Sequence, residues 1–243
     1  SSAASDVYKR QLYIFKATDK FVVVSKKQKD LISSVLDQES NDKIAVIPNG
    51  YDPDTLKLIP KEEARKRLRI KSDSKVLVNV ALLMEKKGQK YLIDAMDIIV
   101  NQKNMKDVLC FIIGEGPLHD VLQEQVESLN ISENVHLVGY VSLEELIHYL
   151  NAADIFVLPS LNEGNPTVMF ECLGCGKPFI GAKVGGVPEI ITSEDYGLLV
   201  EPANEKHLAE KILIALEKKW DKEKILKYAE QFTWENIAKE TIK

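Results

Sequence analysis

Residues 155–171, IFVLPSLNEGNPTVMFE, read as one strand, one loop and one helix. Ile155–Leu158 is a short apolar run ended by Pro159, the pattern of a buried strand. Pro166 suits the first turn of a helix, where its missing N–H costs nothing. A helix is therefore predicted over Pro166–Leu173. The free amides of that first turn, around Gly164–Val168, would face outward, ready for an anion.

The same unit recurs on both sides. Lys75–Val80, Val108–Ile113 and Val135–Val138 are apolar runs upstream; Phe179–Ile180 and Gly197–Val200 follow downstream. Between them lie helical patterns at Gln89–Val100, from Pro117 to Leu129, and at Leu143–Leu150 behind the cap Ser142. Nearer the start, Phe21–Val24 reads as a strand, Ser25 as the N-cap of a helix over Lys26–Leu36, and Lys43–Ile47 as a second strand. Pro48-Asn49-Gly50 then turns the chain, and 61–69 (KEEARKRLR) reads as a charged surface helix. Strands and helices alternating at spacings of roughly 25–30 residues imply parallel βαβ units. Continuous apolar runs fit a sheet buried on both faces. The expected fold is α/β, a Rossmann-like doubly wound parallel sheet. Ligands in such folds bind beyond the carboxyl ends of the strands, which singles out loops 81–88, 114–118, 139–142, 159–166 and 181–188.

Composition narrows the function classes. The chain has 243 residues, 45% of them hydrophobic and 28% charged, as in ordinary globular proteins. A net charge of −5 argues against a nucleic-acid partner, whose phosphates need a basic surface. No apolar run approaches the roughly 20 residues that span a bilayer. The start, SSAASDVYKRQ, has no apolar signal-peptide core. It resembles translated sequencing-adapter readthrough, so residues 1–11 are expected to be a non-native tail and the native start to lie upstream. Three cysteines form no disulfide framework and point to a reducing, cytoplasmic setting. Cys172 and Cys175 are assigned to packing, because a zinc site needs further ligands. His119, His136, His148 and His207 lack metal spacing, and no metal site is expected.

Two loops carry chemistry. Phe111–Ile113 runs into Gly114-Glu115-Gly116-Pro117, where two glycines before a helix start would let a backbone approach a phosphate. A plain tight turn explains the same residues. In the second loop, Glu163 precedes the helix and Glu171 lies eight positions on. Carboxylates accept well from sugar hydroxyls, so the pair could grip a sugar on one side and a ribose on the other, with phosphates between. The alternative is a helix-start charge at Glu163 and a solvated face at Glu171.

The run PSLNEGNPTVMFECLGCGKPFIGAKVGGVPEII (159–191), with GLLVEP after it, resembles the donor-site signature of the family 4 retaining glycosyltransferases, which have the two-domain GT-B fold. IPNGYD (47–52), KKGQKYLIDAM (86–96), IIGEGP (112–117), VGYVSLEELIHYL (138–150) and AADIFVLPS (152–160) occur in that family's order. The resemblance covers about residues 12–243. It implies that Glu163 holds the transferred sugar with the amides of Gly164 and Asn165. Glu171 would bind the ribose hydroxyls. Lys87, the amides near Thr167 and Val168, and the Gly114–Gly116 loop would hold the diphosphate. The backbone around Tyr140 and Val141 would meet the base. The implied catalytic residues are Glu163 and Lys87, the implied reaction is hexose transfer from a nucleotide diphosphate sugar with retention, and no cofactor or metal is implied.

One position departs from the pattern. The family usually carries Arg, or in some members Asn, where Leu82 stands. Compensation by Lys86, a different donor geometry, slow turnover and lost catalysis all remain open. By the same resemblance, 12–48 would be the end of an N-terminal acceptor domain and 49–217 the donor domain. Residues 218–243 would be helices that cross back to the missing domain and expose an apolar face. The fragment is expected to bind donor weakly and not to catalyse. Glycan, sugar or lipid-linked acceptors, polysaccharide or glycolipid synthesis, and contact of the whole protein with the inner membrane face are family-level expectations. A sugar-nucleotide-binding module without activity and a GT-B epimerase stay open beside the transferase.

Overall fold

The computed structural model describes residues 17–34 and 36–241. The tail 1–11 and the rest of the stretch before residue 17 lie outside the described residues. A two-stranded parallel sheet pairs β1 (Phe21–Val23) with β2 (Ile44–Val46). Helix α1 (Lys26–Ser33) and the short α2 (Gln38–Asn41) connect them. Ser25 caps α1, accepting from the Gln28 amide. The helix ends at Ser33 rather than Leu36, and the Ser34 hydroxyl bonds back to the Leu31 carbonyl.

The second sheet has six parallel strands: β3 (Lys75–Val80), β4 (Val108–Ile113), β5 (Val135–Gly139), β6 (Ile155–Leu158), β7 (Phe179–Ala182) and β8 (Gly197–Val200). Their order is β5-β4-β3-β6-β7-β8. This is the doubly wound order, in which the chain starts in the middle, runs to one edge, returns, and fills the other side. The direction reverses between β3 and β6, which pair Leu77 with Ile155 and Val78 with Phe156. Loops leaving the carboxyl ends of these two strands diverge and open a crevice.

Alternate residues of each strand serve opposite layers. Leu77, Ile155, Val157 and Ile180 join a core with α4 (Gln89–Asp97), α5 (His119–Ser128) and α9 (Glu205–Glu217). Val76, Val78, Phe156 and Phe179 join the other, with α6 (Leu143–Ala152), α7 (Thr167–Gly174), the short α8 (Val187–Ile190) and α10 (Lys222–Ala229). Pro166 occupies the cap position and α7 begins one residue later than predicted.

Two expectations change here. Helix α3 (Lys61–Arg67) reads as a surface element, yet Arg65 is only 4% exposed. Its guanidinium donates to the carbonyls of Ser72, Ser74 and Ala152 and pairs with Asp154 at 2.8 Å. A run of charges hides which one turns inward. Among the described residues the C-terminal helices also leave no broad apolar face open. Ile225, Ala229 and Phe232 pack into the core beside α7, and Ile237 of α11 (Trp234–Thr241) is buried near Gly50. Trp234 stays about half exposed. Among the described residues no helix is long and apolar enough to cross a membrane.

Candidate functional site

The loops after β3 and β6 meet across the switch point. The Leu161 amide donates to the Lys86 carbonyl at 2.8 Å. This contact brings Lys87 and Glu163 together, 76 positions apart in sequence: Lys87 Nζ lies 2.6 Å from Glu163 Oε1. The Ser160 hydroxyl donates to the same oxygen at 2.7 Å. The Glu163 side chain is 8% exposed and that of Lys87 18%. A carboxylate this far from water is stabilised by an ion pair and a hydroxyl donor together.

Glu171 faces a different environment. It sits on α7 one residue before the buried Cys172. Burial holds its carboxyl above the ordinary glutamate range. Among the described residues no donor is recorded on its side chain, so it lies neither on a freely solvated face nor in a satisfied network. Thr167 and Val168 form the first turn of α7, whose leading amides lack helical acceptors by geometry.

Gly114 and Gly116 are explained by their neighbours. A Cβ on Gly114 would sit 2.2 Å from the Ala81 carbonyl oxygen, and one on Gly116 2.3 Å from that of Leu83. The Leu83 amide donates to the Glu115 carbonyl at 2.9 Å, closing the same contact. The packing of the β3 and β4 loops by itself requires glycine at both positions, as the plain-turn reading has it. Tyr140, at the end of β5, is 77% exposed, and Val141 is half-buried. Leu82, in the loop after β3, is an exposed apolar side chain. His119 pairs with Asp120 on the surface.

Along the carboxyl edge the candidates thus follow the strand order: Tyr140 after β5, Gly114 and Gly116 after β4, Lys87 after β3, Glu163 after β6. Parallel neighbours lie about 4.8 Å apart, so roughly 14 Å separates the outer strands of this row. A cavity of about 780 Å³ opens at the opposite end of the sheet, between Ile70, Phe111 and His136, and contains none of these residues.

The structure adds two residues that the sequence did not single out, Glu189 and Ser160, and gives Asn165, already a candidate through its backbone amide, a side-chain role. Glu189 accepts from the Lys26 and Lys27 amides at 2.8 and 3.0 Å, capping α1 from 162 residues away. Asn165 is buried; its side-chain amide donates to the Val24 carbonyl at 2.9 Å and its own carbonyl accepts from Asn49. Asn165 therefore ties the Glu163 loop to the β1 segment. Ser160, a buried serine after a strand, carries no periodic signal, and only the fold brings its hydroxyl to Glu163. The cysteines behave as packing residues. All three are buried and free, and burial pushes the Cys110 and Cys175 thiols up to about 12.

The family model for "Glycosyl transferases group 1" matches residues 60–232. An uncharacterized glycosyltransferase of Methanocaldococcus jannaschii is 32% identical over 230 residues, covering 91% of this chain and 58% of the relative. The UDP-Gal:alpha-D-GlcNAc-diphosphoundecaprenol alpha-1,3-galactosyltransferase of Escherichia coli is 29% identical over 199 residues, 80% of this chain and 51% of that protein. The chain spans about half the length of the curated relatives it matches. Among solved structures, sucrose-phosphate synthase from Thermosynechococcus elongatus superposes with a TM-score of 0.79 at 24% identity, over 95% of this chain and 58% of that one. Anabaena HepE, solved in complex with UDP, gives 0.80 at 22% identity, over 93% and 63%. These superpositions establish the shared fold.

Proposed function

The chain belongs to the group 1 glycosyl transferases, and from this we propose that it forms the donor-binding half of a retaining hexosyltransferase using a nucleotide diphosphate sugar. The observation that carries the reading is the Lys87–Glu163 pair at the switch point. It sets a cation for phosphate beside an acceptor for sugar hydroxyls, where a doubly wound sheet binds ligands. In the bound state Lys87 would turn to the diphosphate, joined by the α7 amides near Thr167 and Val168 and by the Gly114–Gly116 loop. Glu163 would take the sugar, with Gly164 and Asn165. Glu171 would take the ribose, and Tyr140 and Val141 the base. Charge developing on the leaving diphosphate would fall to Lys87 and helix amides, and the reading assigns no step to a metal or cofactor. The β1–α1–β2 unit is assigned to a second, acceptor-side lobe, and an acceptor in polysaccharide or glycolipid synthesis is part of the proposal. So is a cytoplasmic location.

Lys87→Ala is expected to weaken nucleoside diphosphate binding at least about tenfold, the worth of one charged hydrogen bond. Calorimetry with UDP, GDP and ADP decides it; unchanged affinity would sink the assigned role. Leu82 favours a second reading, a binding module without turnover, because it puts an apolar side chain where the family usually carries Arg. Sugar transfer by the full-length gene product would exclude that module, and release of an epimerised sugar nucleotide would favour an epimerase.

Glu171→Gln separates function from stability. The carboxyl is held above its unfolded value by burial. Its stabilising contribution is therefore the protonated one, present below the ordinary glutamate range and lost as pH rises through the raised folded value. At neutral pH the charge is a cost, so the amide should raise Tm. Nucleotide affinity should fall about tenfold as a charged acceptor for the ribose is lost. A variant with both properties unchanged would remove Glu171 from the site.

A further inference from the structure

We propose that Ser160 is a positioning residue that keeps Glu163 aimed at the sugar once the donor phosphate has drawn Lys87 away; this rests on the donor-site reading above. Both Ser160 Oγ and Lys87 Nζ bind one carboxylate oxygen, Oε1. The other, Oε2, accepts from no donor among the described residues, and the side chain keeps 8% of its surface open. One oxygen anchors the group, and the other is left for an incoming hydroxyl.

The two anchors differ in kind. Lys87 has a long stem and partial exposure, and its ammonium can turn to a phosphate. Ser160 has one side-chain torsion, is 1% exposed, and donates to Glu163. Its backbone is pinned where the neighbouring Leu161 amide meets the Lys86 carbonyl. A ligand cannot reach a hydroxyl so buried, so Ser160 acts through Glu163 and not on substrate. While Lys87 is shared, Ser160 is not. With the ion pair broken by the donor, the serine hydroxyl alone holds Oε1, and the direction of Oε2 follows from it.

The consequence is a selective defect. Ser160→Ala should weaken nucleotide sugar binding about tenfold, one charged hydrogen bond's worth, and leave the matching nucleoside diphosphate within about twofold. The probes are UDP-glucose, UDP-galactose and GDP-mannose, each against its own diphosphate, by calorimetry on the 243-residue chain. Ser160→Thr, which keeps the hydroxyl, should restore the difference. In a Glu163→Gln background, Ser160→Ala should change nucleotide sugar affinity by less than about twofold, because the group it positions has lost its charge. Should Ser160→Ala fail to fold, Ser160→Cys, of similar size with a weak donor, takes its place. Equal losses for diphosphate and nucleotide sugar, no loss for either, or additive losses in the double variant would overturn the positioning role alone. A wild-type chain that binds none of the probes would overturn the donor-site reading and this inference with it.

Discussion

Gly185→Ala is expected to abolish measurable donor binding, a loss of at least about 100-fold or about 2.7 kcal/mol, and to lower Tm. Gly185 adopts φ 55°, a left-handed conformation that costs a side chain about 1–2 kcal/mol. The larger effect is spatial. A Cβ there would lie 1.7 Å from the Glu163 carbonyl oxygen and 2.6 Å from its carbon. Both are backbone atoms, so no rotamer relieves the clash. The adjacent Gly186 amide donates to the Gly164 carbonyl at 2.7 Å, which locks the two loops in register. They would have to part, carrying the Glu163 backbone away while Ser160 and Lys87 still hold its side chain. Gly139→Ala is the control. Its φ is 79° but its Cβ would meet nothing within 4 Å, so it should lose stability from strain and keep most of its affinity. Titration of both variants with the nucleotide sugar the wild type binds best, alongside thermal unfolding, tests this. Wild-type affinity in Gly185→Ala would show that the turn does not govern the Glu163 loop.

The contrast shows what the sequence could and could not disclose. Apolar runs spaced by helical segments located all six strands of the large sheet to within about two residues, because burial on both faces leaves a dense signal. The candidate loops followed, since they are whatever comes after each strand. Pairing across the switch point was not legible. Nothing local says that the residue after Lys86 will meet the third residue after Ser160, and the strand order that brings them together is a property of the whole sheet. The glycines carry a double reading. At Gly114 and Gly116 the carbonyls of Ala81 and Leu83 leave no space for a Cβ. Close packing alone therefore accounts for glycine at both positions, and their residue type by itself does not argue for a phosphate. Arg65 was not legible for another reason: among seven helix residues of which six are charged, composition overwhelms the one charged position that points inward.

Arg65 leads to the other large effect, at the far end of the strand that delivers Ser160. Asp154 immediately precedes β6. Its carboxylate accepts from Arg65 at 2.8 Å, from the Val76 amide at 2.7 Å, and from Lys61. Asp154→Ala is expected to cost about 3–5 kcal/mol, because it leaves the buried guanidinium of Arg65 without a counter-charge. Lys61, partly exposed, can turn to water; Arg65 cannot. Burial alone would raise the Asp154 carboxyl, but hydrogen bonding from Lys61 and Val76 and the two cations outweigh it and hold it below the ordinary aspartate range. Its contribution is thus present above that range and declines as pH falls toward the lowered folded value. Wild-type stability in urea should drop on acidification below about pH 4, near the unfolded aspartate value, and Asp154→Ala should lose that part of the slope. Donor affinity of the folded variant should stay within about twofold, as expected for sites that share no partner. A milder loss of stability would mean that Arg65 finds enough in the carbonyls of Ser72, Ser74 and Ala152. A large loss of affinity would mean that strain travels along β6 from Asp154 to Ser160, and the two ends of the strand could not then be treated as separate.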